Sequence, residues 1–197
     1  MSGWASPLSR TQDIDYPGQT LPTRGRADCR MRGDKTVIEM KAKIERAIYE
    51  ASMALDNNNW AGWLSLCDEE FNYKITAFSP EINKDMIYFE HNKGELANLL
   101  DMLPKHNTDH SPLFRHTSVY TVDVSESGTE ARATSSVVVF QNMLDGVNSH
   151  LDSGESRLFL VGRYHDTFTI TDGVVKFVTR ETRLENRRLD KGSHYPI

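Results

Sequence analysis

The chain has 197 residues, 38% of them apolar and 26% charged, with a formal net charge of -5. That is the composition of an ordinary globular domain long enough to bury one core. The acidic balance argues against a general nucleic-acid binder, and no run nears the roughly 18 apolar residues that a membrane helix needs.

Met1 to Lys35 is turn-rich, with six Lys/Arg against four Asp and neither helical nor strand periodicity. Residues 1–35 read as an extended, slightly basic arm that is either disordered or wrapped around a partner subunit. The first thirty residues lack the apolar run of a secretory signal. Two cysteines, Cys29 and Cys67, are too few for a disulfide framework and read as free thiols in a reducing cytoplasm.

Residues 36–197 read as a single domain. Thr36 followed by Glu39 is a capping-box pattern, and Ile44, Ala47, Ile48, Ala51 and Leu55 recur on one helical stripe. Asp56-Asn57-Asn58-Asn59 is a run of poor helix formers and should stop that helix. A shorter helix follows from Trp60, with Trp60, Trp63 and Leu64 on one side. FNYKITAF, residues 71–78, is β-favouring and is ended by Pro80. MIYF, residues 86–89, suits a second short strand. Gly94 to Leu103 reads as a helix with Leu96, Leu99, Leu100 and Leu103 together, closed by Pro104.

From Arg115 the period changes to two. HTSVYTVDV, TEARATSSVVVFQ and the long stretch from Arg157 are rich in Val, Thr, Tyr and Phe. Asp172-Gly173 is a strong two-residue hairpin signal joining Arg157–Thr171 to Val174–Glu185. Helices first and a large antiparallel sheet afterwards make the fold class α+β.

Seven histidines invite a metal-site reading. His106, Asp109 and His110 in KHNTDH are the right ligand types for non-haem iron, but they fall in a proline-flanked loop where polar surface is the simpler account. Two distant cysteines cannot hold an iron–sulfur cluster. Acid–base chemistry stays open: in a sheet curled around a pocket, Tyr73, His116, Tyr164 and Asp166 could all point inward. Strand alternation puts Tyr164 and Asp166 on one face and His165 on the other, so Tyr-His-Asp is not one convergent triad. Neither a nucleophile elbow, nor a phosphate loop, nor a dinucleotide fingerprint is present. Arg180, Arg183, Arg187 and Arg188 alternate with Glu181, Glu185 and Asp190, a mixed-charge segment that suits inter-subunit ion pairs better than a phosphate groove.

RLFLVGRYHDTFTITDGVVKFVTRETRLENRRLD, residues 157–190, and the closing GSHYPI resemble the carboxyl end of the small, or β, subunit of Rieske-type ring-hydroxylating oxygenases. The matching features are Gly162-Arg163-Tyr164 with Asp166, the Asp172-Gly173 turn before Lys176-Phe177, then Arg180, Arg183 and Leu189-Asp190. The resemblance covers about Lys35 to Ile197 and is most specific over the last forty residues.

It implies an NTF2-like, cystatin-like cone, with N-terminal helices packed on a strongly curved, mostly antiparallel mixed sheet. It implies a non-catalytic assembly subunit: no cofactor in this chain, and a Rieske [2Fe-2S] cluster and mononuclear Fe(II) in a large α subunit. The expected complex is a cytoplasmic α3β3 hetero-hexamer on a β3 core. A reductase, and in some members a ferredoxin, supplies NAD(P)H electrons for O2-dependent hydroxylation of an aromatic compound. Arg163, Tyr164, Asp166, Arg180, Arg183, Arg187 and Asp190 are then residues of the fold or its contacts. Two other readings compete: a stand-alone isomerase or dehydratase with an internal His/Asp pair, and a non-enzymatic ligand-binding oligomer. The stretch Glu81 to His116 matches no particular member and leaves a non-aromatic substrate open.

Overall fold

A computed structural model describes residues 24–106, 110–144, 153–187 and 196–197; for residues 24–35 and for His106 it describes the backbone alone. Cα packing separates Met1–Lys35 from Thr36–Ile197, and the second unit holds the sheet, the core and the site.

Helix α1 spans Arg24–Asp56. It therefore begins well before Thr36, inside the stretch read as an extended arm. The reason is compositional: residues 26–35 hold three Arg with one Ala, one Met and one Lys, six good helix formers in ten with no apolar stripe, and Gly33 alone does not break a helix. Further along, Ile44, Ala47, Ile48, Ala51 and Leu55 are all buried, as their spacing requires. On the opposite face Arg46 and Glu50 pair at 2.7 Å, one turn apart. The polar run ends the helix, with Asn58 in the left-handed region at φ 52°. Asn59 then caps α2 (Trp60–Ser65), its Oδ1 accepting the Gly62 N–H at 3.0 Å.

Strands β1 (Cys67–Ser79) and β2 (Lys84–Asn92) form an antiparallel pair. Helix α3 (Lys93–His106) is entered through a reciprocal cap: Asn92 Oδ1 accepts the Glu95 N–H and Glu95 Oε2 accepts the Asn92 N–H, both at 3.0 Å. Pro104 lies inside this helix rather than ending it. It costs the helix the bond that position 104 would give to the Leu100 carbonyl, and the helix runs only two residues beyond it.

The remaining strands are β3 (Leu113–Val124), β4 (Glu130–Asn142), β5 (Ser156–Thr171) and β6 (Val174–Leu184). The six-stranded sheet has the order β2-β1-β6-β5-β4-β3. Only the β1–β6 pair is parallel, so the sheet is mixed and mostly antiparallel. The β5–β6 hairpin turns on Asp172 and Gly173, both with positive φ (52° and 76°), as two-residue hairpins demand. Lys43 of α1 donates to the Gly173 carbonyl at 3.1 Å, tying the turn to the helix layer.

One sheet face carries the core. Along β5, Leu160, Gly162, Tyr164, Asp166, Phe168 and Ile170 are buried and the intervening residues are more open. Phe71, Tyr73, Ile75, Val137, Val139 and Phe177 join them from the other strands, with the α1 stripe and α3 Leu96 and Leu100 in the same cluster. Trp63 of α2 stands edge-on to both Phe71 and Tyr73, at 5.7 and 5.9 Å. Full burial of each large side chain stabilises by about 1.5–3 kcal/mol. The result is the α+β class expected from the element order.

Candidate functional site

The chemistry-bearing residues of this chain gather on the buried side of the sheet. Tyr164 and Asp166 project inward from β5, and Arg180 meets them from β6, all almost fully buried. Two parallel hydrogen bonds, Nε to Oδ1 and Nη2 to Oδ2, hold Arg180 to Asp166 at 2.8 Å each. The guanidinium also lies between two rings, 4.2 Å from the Tyr164 centroid and 4.6 Å from that of Phe177. Burial opposes the charge on Arg180, but the Asp166 carboxylate outweighs it and raises the pKa above the ordinary arginine value. An arginine–carboxylate fork of this kind leaves no free base: both Asp166 oxygens are engaged.

A second buried cation repeats the pattern. Arg115 points inward from β3, its Nη1 2.7 Å from Asp56 at the end of α1. The same carboxylate accepts the Arg115 backbone N–H. Arg115 Nη2 donates to the Pro196 carbonyl at 3.1 Å. On β1, the Tyr73 hydroxyl contacts Thr182 Oγ1 at 3.1 Å and accepts the Ile197 N–H at 2.9 Å. Burial pushes the Tyr73 phenol up to about 12 and raises that of Tyr164 as well. Neither is a proton donor or acceptor poised near neutrality.

Among the described residues, no histidine is buried in the interior, where acid–base chemistry would need one. Tyr73, Tyr164 and Asp166 face inward as expected, but His116 does not; it is exposed on the opposite face, edge-on to Phe114 at 5.1 Å and Phe140 at 5.8 Å. The cause is register: Arg115 takes the inward position of β3, and period two sends its neighbour out. His165 likewise lies on the outer face, opposite the inward pair on β5.

Among the described residues no group of three or more His, Cys, Asp or Glu side chains is arranged to hold an ion. Asp109 and the His106 side chain lie outside the described residues, and His110 is exposed. Cys67 is buried and its thiol is pushed up to about 12 by desolvation, the opposite of a ligating thiolate. Cys29 lies where side chains are not described.

The arginines expected at subunit contacts find partners within the chain. Arg163 faces Glu185 at 3.3 Å, Arg183 binds Asp85 at 2.8 Å and Arg187 binds Glu81 at 2.8 Å, all at least partly exposed. Arg188 and Asp190 lie outside the described residues. What the outer face does offer is apolar. Phe114, Phe140 and Leu158 stand side by side in register across β3, β4 and β5, with Phe114 and Leu158 about half exposed (50% and 57%). Ile82, Met86, Ile87 and Tyr88 are also exposed, around the edge strand β2.

Arg115 was not singled out as a site residue in the sequence, although its place at the head of an alternating strand marks it as an inward charge. The inward-bound Pro196–Ile197 pair gave no periodic signal at all.

Against this geometry, a family model described as a SnoaL-like domain matches residues 36–181. The β subunit of the methanesulfonate monooxygenase hydroxylase of Methylosulfonomonas methylovora is 58% identical over 78% of this chain and 85% of that protein. The β subunit of 2-aminobenzenesulfonate 2,3-dioxygenase from an Alcaligenes species is 27% identical over 78% of this chain and 97% of its own. Among solved structures, the β subunit of a putative aromatic-ring-hydroxylating dioxygenase from Novosphingobium aromaticivorans superposes with a TM-score of 0.63. It shares 23% identity and covers 78% of this chain and 94% of its own.

Proposed function

The chain belongs to the SnoaL-like family and is the β subunit of a ring-hydroxylating-type oxygenase, and from that premise we propose that it is the non-catalytic scaffold of a complex that hydroxylates a sulfonate. The observation that carries the substrate class is the 58% identity to a methanesulfonate monooxygenase β subunit. A short alkanesulfonate is therefore the first candidate. The 27% relative, whose name carries an aminobenzenesulfonate, makes an aryl sulfonate the second.

In this reading the iron chemistry belongs to a large α subunit carrying a Rieske [2Fe-2S] cluster and a mononuclear iron, fed with NAD(P)H electrons by a reductase and, in some systems, a ferredoxin. The described donor set of this chain supports that division, because its one described cysteine is a buried neutral thiol, and the buried Asp166 and half-buried Asp56 carboxylates are each committed to an arginine. The β subunit supplies shape: a rigid sheet whose outer apolar strip packs against other subunits, in an α3β3 arrangement on a β3 core, in the cytoplasm. No helix is long and apolar enough to cross a membrane among the described residues.

Reconstitution tests the proposal. The chain is combined with its large subunit and with its reductase, and methanesulfonate-dependent O2 uptake is followed together with sulfite release. A hydroxyl on the carbon bearing the sulfonate makes a bisulfite adduct that falls apart, so sulfite reports the reaction. Turnover by the complex, with iron and labile sulfide recovered only with the large subunit, is the expected result. Turnover by this chain alone would refute the scaffold role.

A further inference from the structure

Pro196 and Ile197 are held inside the domain as a ligand would be held. Ile197 is completely buried within the core cluster. Its N–H donates to the Tyr73 hydroxyl at 2.9 Å, and that hydroxyl lies 3.3 Å from the Ile197 carbonyl oxygen, close enough to donate to it. Arg115 Nη2 donates to the Pro196 carbonyl at 3.1 Å. The pair is thus recognised through its backbone amide and carbonyls by side chains of β1 and β3, strands that three others separate in the sheet order. Simple hydrophobic filling does not need such contacts.

The walls around it are more polar than the pair requires. Among the described residues, Arg115 Nε, Ser135 Oγ, Tyr164 OH and Arg180 Nη1 are buried without a hydrogen-bond partner, each on an inward-facing position of a different strand. Each such group costs about 1–3 kcal/mol when unmatched, and a core selected only for packing would hold apolar residues there. Beside Arg115 a cavity of about 240 Å³ reaches the same wall between α1, α3 and β3, lined by Leu55, Trp60, Leu103 and Leu113 among others.

We propose that the inward side of the sheet is a binding chamber for a branched aliphatic residue on a peptide-type amide, and that the chain fills it itself with Pro196–Ile197. Tyr73 and Arg115 are the binding residues: Tyr73 reads the Ile197 amide, Arg115 reads the Pro196 carbonyl, and the apolar core takes the isoleucine side chain. Self-occupancy fills a polar interior that could otherwise admit a small substrate. It does not depend on which oxygenase the chain serves.

Complementation tests this. A chain stopped after Tyr195 is compared with the full chain by thermal unfolding, alone and with the added peptide acetyl-Tyr-Pro-Ile or the control acetyl-Tyr-Pro-Asp. The stopped chain is expected to melt about 5 °C or more below the full one, from the loss of a buried isoleucine. The isoleucine peptide should restore the melting temperature saturably and the aspartate peptide should not. A stopped chain that melts within about 1 °C of the full one, or a folded stopped chain indifferent to the isoleucine peptide, overturns the proposal. Should the stopped chain not fold, amide hydrogen exchange of the unmodified full chain decides. Protection at Ile197 comparable to the core strands supports the chamber, and exchange at the rate of an unstructured peptide refutes it.

Discussion

Asp166 and Arg180 face each other in register across β5 and β6, joined by two 2.8 Å hydrogen bonds where neither side chain is more than 1% exposed. A buried pair of this kind is a weak source of net stability but a strong liability when halved, because the surviving charge has nowhere to go. Asp166→Leu should therefore cost about 3–5 kcal/mol by chemical denaturation. Asp166→Leu with Arg180→Met should recover a large part of that loss, since two apolar side chains replace the stranded guanidinium. Equal losses in the single and double variants would show that the strand pairing, rather than the ion pair, carries the penalty.

Gly162 lies in the same hairpin, opposite Leu184 at the end of the ladder away from the turn, and its role is steric. A Cβ there would come within 2.6 Å of the Arg183 carbonyl oxygen and 3.5 Å of the Leu184 Cα. Those are backbone atoms in a ladder and cannot swing aside. Gly162→Ala should destabilise by about 1–3 kcal/mol, the usual range for overpacking a tight site. Ser136→Ala, on the neighbouring strand, serves as the control and should change stability little. A neutral Gly162→Ala in equilibrium unfolding would show that the two strands can separate there at little cost.

The residues that made the sequence legible are those with local rules. The α1 stripe, the Asn run, the Asp172-Gly173 turn and the alternation that puts Tyr164 with Asp166 each follow from short-range geometry, and each is found where that geometry puts it. The Gly162-Arg163-Tyr164 and Asp166 pattern also led to the family. What escaped depends on long-range register or on partners far apart in sequence. His116 faces out because Arg115 faces in, which only the pairing of β3 with β4 fixes. Asp56 meets Arg115 and Tyr73 meets Ile197 across 59 and 124 residues, separations that no periodicity encodes. Arg183 and Arg187 find Asp85 and Glu81 because β1 lies between β2 and β6, antiparallel to one and parallel to the other, a topology that alternation does not reveal.

Glu81 provides a pH test at the edge of the sheet. Its carboxylate accepts from Ser79 Oγ at 2.8 Å and from Arg187 Nη1 at 2.8 and 3.0 Å. The Ser79 hydroxyl first, then its own backbone amide and Arg187, lower its pKa from 4.5 to about 2. A carboxyl whose folded pKa lies below its unfolded one adds stability that is present above about pH 4.5 and is lost as pH falls toward 2. Carboxyl-selective NMR titration should give Glu81 a midpoint near the low end of that window. Ser79→Ala should move it upward. A midpoint at the ordinary glutamate value in the unmodified chain would refute the contact.

The outer strip of Phe114, Phe140 and Leu158 is where the scaffold role can be separated from folding. None of the three contributes to the buried cluster, and Phe114 and Leu158 are each at least half exposed. A charge placed at such a position meets water in the isolated chain, so Leu158→Glu should leave unfolding free energy within about 0.5 kcal/mol of the unmodified chain. At an assembled interface the same carboxylate would be desolvated without a partner, and the cost rises to several kcal/mol. Since each 1.4 kcal/mol is a tenfold change in association, Leu158→Glu should weaken subunit capture at least a hundredfold. Phe114→Asp should behave alike, because Phe114 and Leu158 flank Phe140 in register and share the strip. Native mass spectrometry and co-purification with the large subunit measure this directly. An intact complex carrying either charge would place the assembly surface elsewhere, and the exposed Ile82, Met86 and Ile87 around strand β2 would be the next surface to charge.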